Sequence, residues 1–88
     1  HPHQVEFMKN FEKQNGISFL LIYYTNRQKC YYLRFSEMMK YWERMEQGGP
    51  KNFKYEELSP AFFVPAAGGI ALHYLVAMQE DLKERSIR

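Results

Sequence analysis

His3-Gln4-Val5-Glu6-Phe7-Met8-Lys9-Asn10-Phe11, then Asn15-Gly16, then Ile17-Ser18-Phe19-Leu20-Leu21-Ile22-Tyr23-Tyr24, is the stretch whose reading decides the fold. Gln4, Phe7, Met8 and Phe11 recur at i, i+3, i+4 and i+7, which puts them on one face of a helix. Glu6, Lys9, Asn10 and Lys13 take the other side, and Asn15-Gly16 ends the helix. The eight residues that follow are apolar on both faces of a strand, a pattern that belongs in the middle of a sheet with a neighbour on each side. The chain opens on His1. The expectation is therefore that residues 1–88 are the C-terminal portion of a single, larger α/β domain whose remaining strands lie upstream.

Working outward, Thr25-Asn26-Arg27-Gln28 is a turn-rich gap, and Lys29 to Arg34 alternates imperfectly as the second strand of an antiparallel hairpin. Ser36 is a good N-cap for a helix to about Gln47, with Glu37 in the first turn and Met38, Tyr41, Trp42 and Met45 as its apolar stripe. Gly48-Gly49-Pro50 stops it. Lys51 to Lys54 reads as an extended basic stretch around Phe53, and Tyr55-Glu56-Glu57-Leu58 as one helical turn before Ser59-Pro60. Phe62-Phe63-Val64 forms a short edge strand before Pro65. After flexible Gly68-Gly69, a last helix runs from about Ala71 to Glu84 with Ala71, Leu75, Met78 and Leu82 inward. The order α-β-β-α-(β)-α gives a layered α/β or α+β fold.

Composition sets bounds on function. The chain is 45% hydrophobic and 17% aromatic, so Phe and Tyr carry much of a small core. The longest apolar run is too short to span a bilayer and nothing resembles a signal peptide, so no membrane is expected; the cysteine usage suits a reducing cytoplasm, the expected location. The single cysteine, Cys30, excludes an internal disulfide and reads as a small buried apolar residue. Net charge is +2, but residues 27–54 carry seven Lys and Arg against three Glu. A basic centre between neutral and acidic ends fits a polyanion, and it also fits an ordinary solvated surface.

The run His3-Gln4-Val5-Glu6-Phe7-Met8, with Asn15-Gly16-Ile17-Ser18-Phe19, Tyr31-Tyr32-Leu33, Tyr41-Trp42-Glu43-Arg44, Gly49-Pro50-Lys51-Asn52-Phe53, Tyr55-Glu56-Glu57-Leu58 and His73-Tyr74-Leu75, resembles the back half of the RecU-type Holliday junction resolvases. That family was earlier labelled penicillin-binding-protein-related factor A. The resemblance implies a homodimeric, magnesium-dependent endonuclease of the PD-(D/E)xK type that acts on branched double-stranded DNA in recombination and repair. It implies a mixed sheet flanked by helices, of which this chain holds a part. Family catalysis rests on acidic residues and a Glu-x-Lys strand that hold the metal and activate water. The chain contains no Glu-x-Lys; the nearest mimic is Asp81-Leu82-Lys83 on the last helix. Mg2+ is therefore expected on residues outside this chain, which alone is expected to be inactive, with no metal ligand of its own. The family's basic Arg-Lys-Ser-Ile segment is matched only loosely by Pro50-Lys51-Asn52-Phe53, and His73 stands where an acidic residue is common.

Gln4 is the candidate supporting catalytic residue. An amide on an apolar helix face costs desolvation unless it is hydrogen-bonded, and nucleases of this fold often point such a group from this helix toward the metal. The bland alternative is a Gln at a frayed helix start; His3 beside it is a flank or cap. Lys51 and Lys54, bracketing Phe53, and Lys40 and Arg44, one turn apart, are the candidate DNA-binding residues. Their alternatives are a loop whose Phe plugs the core and a helix face whose cations pair with Glu43 or Glu37. Of Tyr23, Tyr24, Tyr31 and Tyr32, two should point inward and two outward, the outward pair offering a subunit contact. Two other classes compete with a nuclease: a non-catalytic DNA-binding module, and a protein-interaction domain of nuclease-like fold.

Overall fold

The centre of the fold is Tyr31-Tyr32, two adjacent residues that are both completely buried. Neighbours on a strand point to opposite faces, so each phenol needs its own buried acceptor, and each finds a carboxylate on a different helix. The hydroxyl of Tyr31 donates to Glu37 at 2.6 Å and that of Tyr32 donates to Asp81 at 2.7 Å. The sheet is thereby clamped between two helices. The structure is a computed structural model that describes residues 2–65 and 70–87, with side chains for 3–64 and 74–86. Gly68-Gly69 and the side chain of His73 lie outside the described residues.

The elements run α1 (Pro2–Lys13), β1 (Phe19–Tyr24), β2 (Lys29–Arg34), α2 (Phe35–Glu46), β3 (Phe63–Pro65) and α3 (Ile70–Ile87), with 3-10 turns at Thr25–Arg27, Tyr55–Glu57 and Pro60–Phe62. The described strands form an antiparallel sheet, ordered β1-β2-β3, where a mixed sheet was expected. The hairpin register aligns Phe19 with Arg34 and Tyr24 with Lys29, and Tyr31 faces Phe63 on β3. The hairpin, the turn at Tyr55 and the short third strand lie where the sequence puts them.

Among the described residues β1 pairs with β2 alone, and Leu20, Leu21 and Tyr23 are exposed. Three expectations are corrected. The central, doubly covered strand is β2, so both of its tyrosines are buried, while Tyr24 is half-buried and Tyr23 stands in solvent. In α1 the packed face carries Val5, Met8 and Glu12, whereas Gln4, Phe7 (70% exposed) and Phe11 face out. Glu12 decides that rotation: it accepts the Ser18 amide at 2.5 Å and takes Arg85 of α3. In α3 the inward residues are Ala77, Asp81 and half-buried Tyr74 and Met78, while Leu75 and Leu82 are exposed. Asp81, held by Tyr32 and by Arg85 one turn on, sets that face.

Helix ends follow local chemistry. Asn15 (φ 68°) closes α1, with the Asn15 amide donating to Glu12 and the Gly16 amide to Phe11; Gly48 (φ 89°) closes α2, with the Gly48 amide donating to Met45 and the Gly49 amide to Arg44. Both are Schellman endings, which need a residue that tolerates the left-handed region. At the start of α2 the N-cap is Arg34, which makes no side-chain cap bond, and Ser36 lies within the first turn rather than capping it. The Arg34 side chain is drawn elsewhere, donating to Glu84, Glu37 and Ser59.

Candidate nucleic-acid interface

Lys40 and Arg44 share one face of α2, as their spacing requires. Arg44 does not pair with Glu43 or Glu37. It reaches across to Glu57 at 2.6 Å, and the Lys54 amide donates to the same carboxylate at 2.7 Å. The Arg44 guanidinium first, and the Lys54 amide second, hold the Glu57 carboxyl down at about 2. The guanidinium also lies 5.1 Å above the Tyr41 ring, and Phe53 stacks on Tyr41 at 4.6 Å. Phe53 thus plugs inward, and the segment on either side is pinned against α2 at its aromatic and at its acid.

That pinning leaves Lys51 and Lys54 exposed at the two ends of a fixed loop, with Lys40 exposed on the neighbouring helix. Among the described residues none of these three forms a salt bridge, whereas Arg34, Arg44, Lys83 and Arg85 all do. Of the four predicted DNA-binding cations, three are available to a phosphate; Arg44 is engaged in holding the loop. Glu57, which ties that loop to the helix, was not singled out in the sequence. Its only signal there was an acid three residues beyond a basic stretch.

Gln4 lies elsewhere. It is exposed, at the rim of an open apolar groove of about 700 Å³ between α1, β1 and α2, lined by Phe7, Phe11, Leu20, Met38 and Trp42 among others. His3 is exposed beside it. Among the described residues nothing acidic lines that groove. Among the described residues no three His, Cys, Asp or Glu side chains come together as a metal-holding group. Asp81 is 2% exposed and taken by Tyr32 and Arg85, so the Asp81-Leu82-Lys83 mimic offers no ligand to an ion. The described residues do not fit a magnesium site. Cys30 is buried, and burial pushes its thiol up, away from nucleophilic behaviour.

A family model for Recombination protein U matches residues 1–80. The chain belongs to the RecU family. It is similar to the Holliday junction resolvase RecU of Staphylococcus epidermidis, 34% identical over 87 residues, covering 98% of this chain and 42% of that protein. The Levilactobacillus brevis resolvase is 30% identical over 83 residues, 93% of this chain and 41% of its own length. That of Bacillus pumilus is 41% identical over 61 residues, 69% and 29% of the two lengths. The chain therefore spans about two fifths, or less, of the RecU relatives it matches. No solved structure matches it. Among the described residues no helix is long and apolar enough to cross a membrane.

Proposed function

We propose that this chain is part of a magnesium-dependent, homodimeric endonuclease that resolves four-way DNA junctions in recombination and repair in the cytoplasm. The match to Recombination protein U over residues 1–80 carries the reading. The metal sits on residues outside these 88, in a PD-(D/E)xK core, and the chain alone is inactive. Here residues 1–88 act as the C-terminal portion of that nuclease domain, with Lys40, Lys51 and Lys54 meeting phosphates and Gln4 turned toward the rest of the site. The open edge of β1 and the apolar groove beside α1 support this: Leu20, Leu21, Phe7 and Phe11 are covered by the remainder of the RecU domain, which relatives have and which would add the missing sheet neighbour.

The test is cleavage of a synthetic four-way junction by the full-length protein, with and without Mg2+, against linear duplex of the same sequence. Metal-dependent, junction-selective cutting is the expected result. Tight, steeply salt-dependent binding without cutting would instead identify a DNA-binding module, and neither binding nor cutting an interaction domain.

A further inference from the structure

Two further cations from the basic centre, Arg27 and Lys29, sit at the end of the β1–β2 hairpin. Both are exposed, and among the described residues neither is in a salt bridge. They are nevertheless held in place. The Arg27 guanidinium carbon lies over the Tyr55 ring, 3.8 Å from its centre, and the Lys29 ammonium stands 5.6 Å from the centre of the Phe63 ring. These rings form one anchored ledge. Tyr55 meets Tyr24 edge-on at 5.2 Å and Phe63 at 5.1 Å, and Phe63 packs on the fully buried Tyr31 at 4.9 Å.

The placement has chemical consequences. A guanidinium held over a ring spends none of its N–H donors on that contact, so they stay available to phosphate oxygens. Its ordering cost is partly met before any ligand arrives. Lys29 pairs across the hairpin with Tyr24, and Tyr31 two residues on reaches Glu37 of α2. The patch is therefore on the α2 side of the sheet. Tyr55 follows Lys54 in the chain, which brings Arg27 beside the loop that displays Lys51 and Lys54. The two carboxylates bonded on this side do not neutralise the patch: Glu37 is taken by Tyr31 and Tyr41, and Glu57 by Arg44.

We infer that Arg27 and Lys29, seated on the Tyr55–Phe63 ledge, are a phosphate-binding patch for the backbone of a duplex DNA arm, extending the Lys40, Lys51 and Lys54 face to the tip of the hairpin. The inference rests on the junction-nuclease reading above. It assigns the patch to positioning of the arm and gives it no part in the chemistry.

The experiment measures binding of a fluorescently labelled synthetic four-way junction to the full-length protein across 50–300 mM KCl, about the range where counterion release dominates. The variants are Arg27→Gln/Lys29→Gln and, as a control on α3, Lys83→Gln. If each cation neutralises one phosphate, the double variant loses about 2 from the log–log salt slope and binds roughly 10-fold more weakly at low salt. Lys83→Gln keeps the parental slope. Both replaced side chains are exposed, so a parental melting curve is expected and confirms that folding is not the cause. A parental slope in the double variant overturns the patch while leaving the nuclease reading intact. A parent protein that does not bind the junction overturns both.

Discussion

At the scale of single residues, the most consequential groups are the carboxylates that meet the buried tyrosines. Asp81, the only Asp in the chain, looks in the sequence like a remnant of an acidic motif; in the fold it accepts from Tyr32 and Arg85 and is a structural residue. Removing one partner of a buried charged network leaves the others uncompensated. Asp81→Ala is therefore expected to cost about 3 kcal/mol, read as a lower urea midpoint with an unchanged slope. Loss of cleavage with an unchanged midpoint would refute the structural assignment. The phenols give a pH signature. Burial first, and the hydrogen bond to Glu37 second, push Tyr31 up to about 12, and burial raises Tyr32 and Tyr41 as well. A folded-state pKa above the unfolded value near 10 means that the unfolded chain loses its protons first. The stabilisation is complete below pH 10 and is lost as pH climbs through the folded values, about 12 for Tyr31. Absorbance at 295 nm should show Tyr31, Tyr32 and Tyr41 still protonated well above the ordinary phenol range; titration of these three near pH 10 in the folded protein would contradict the buried network.

At the scale of elements, existence and order were legible, and orientation was not. Periodicity in α1 finds a helix with Gln4, Phe7, Met8 and Phe11 on one stripe, and that stripe is real. Apart from Met8 it is the wrong stripe to be packed, because contacts that fix the helix are polar: Glu12 to the Ser18 amide and to Arg85. α3 repeats the lesson, with Asp81 turned in and Leu75 and Leu82 turned out. Hydropathy assigns apolar residues to the core, so it cannot register a helix whose rotation is set by a buried acid. The exposed α1 stripe still predicts something. If the rest of the RecU domain covers it, Phe7→Ser in the full-length protein removes a buried aromatic and should lower stability by about 3 kcal/mol. An unchanged denaturation midpoint would show that Phe7, 70% exposed within these residues, faces solvent in the whole protein too.

At the scale of the whole molecule, the sheet has an asymmetric pattern of cover. β2 is buried on both faces, its Tyr31 side under α2 and its Tyr32 side under α3. β1 beside it carries equally apolar residues but leaves an edge and three large side chains open. Arg27 and Lys29 lie on the α2 side of the sheet, away from Asp81. A nuclease assembled on this frame would use one side for DNA and the β1 edge for the remainder of its own domain. The proposed homodimer predicts a sedimentation coefficient for the full-length protein corresponding to two chains at micromolar concentration; a monomer there would remove the dimer from the reading.

The sequence by itself determined the family, the hairpin, the C-terminal ends of α1 and α2 and the cationic centre, because these depend on local pattern: period, turn residues, charge and an ordered set of matching segments. Only the tertiary structure decided which of the described strands is central, which helix faces are inside, that Arg44 holds Glu57 while Lys40, Lys51 and Lys54 form no salt bridge among the described residues, and that Arg27 and Lys29 lie on rings contributed by Tyr55 and Phe63. The reason is physical. Each of these outcomes is a pairing between residues far apart in the chain, from Arg44 with Glu57 to Tyr32 with Asp81. A charge or an apolar stripe is written in the sequence, but its partner is chosen only when the chain has folded.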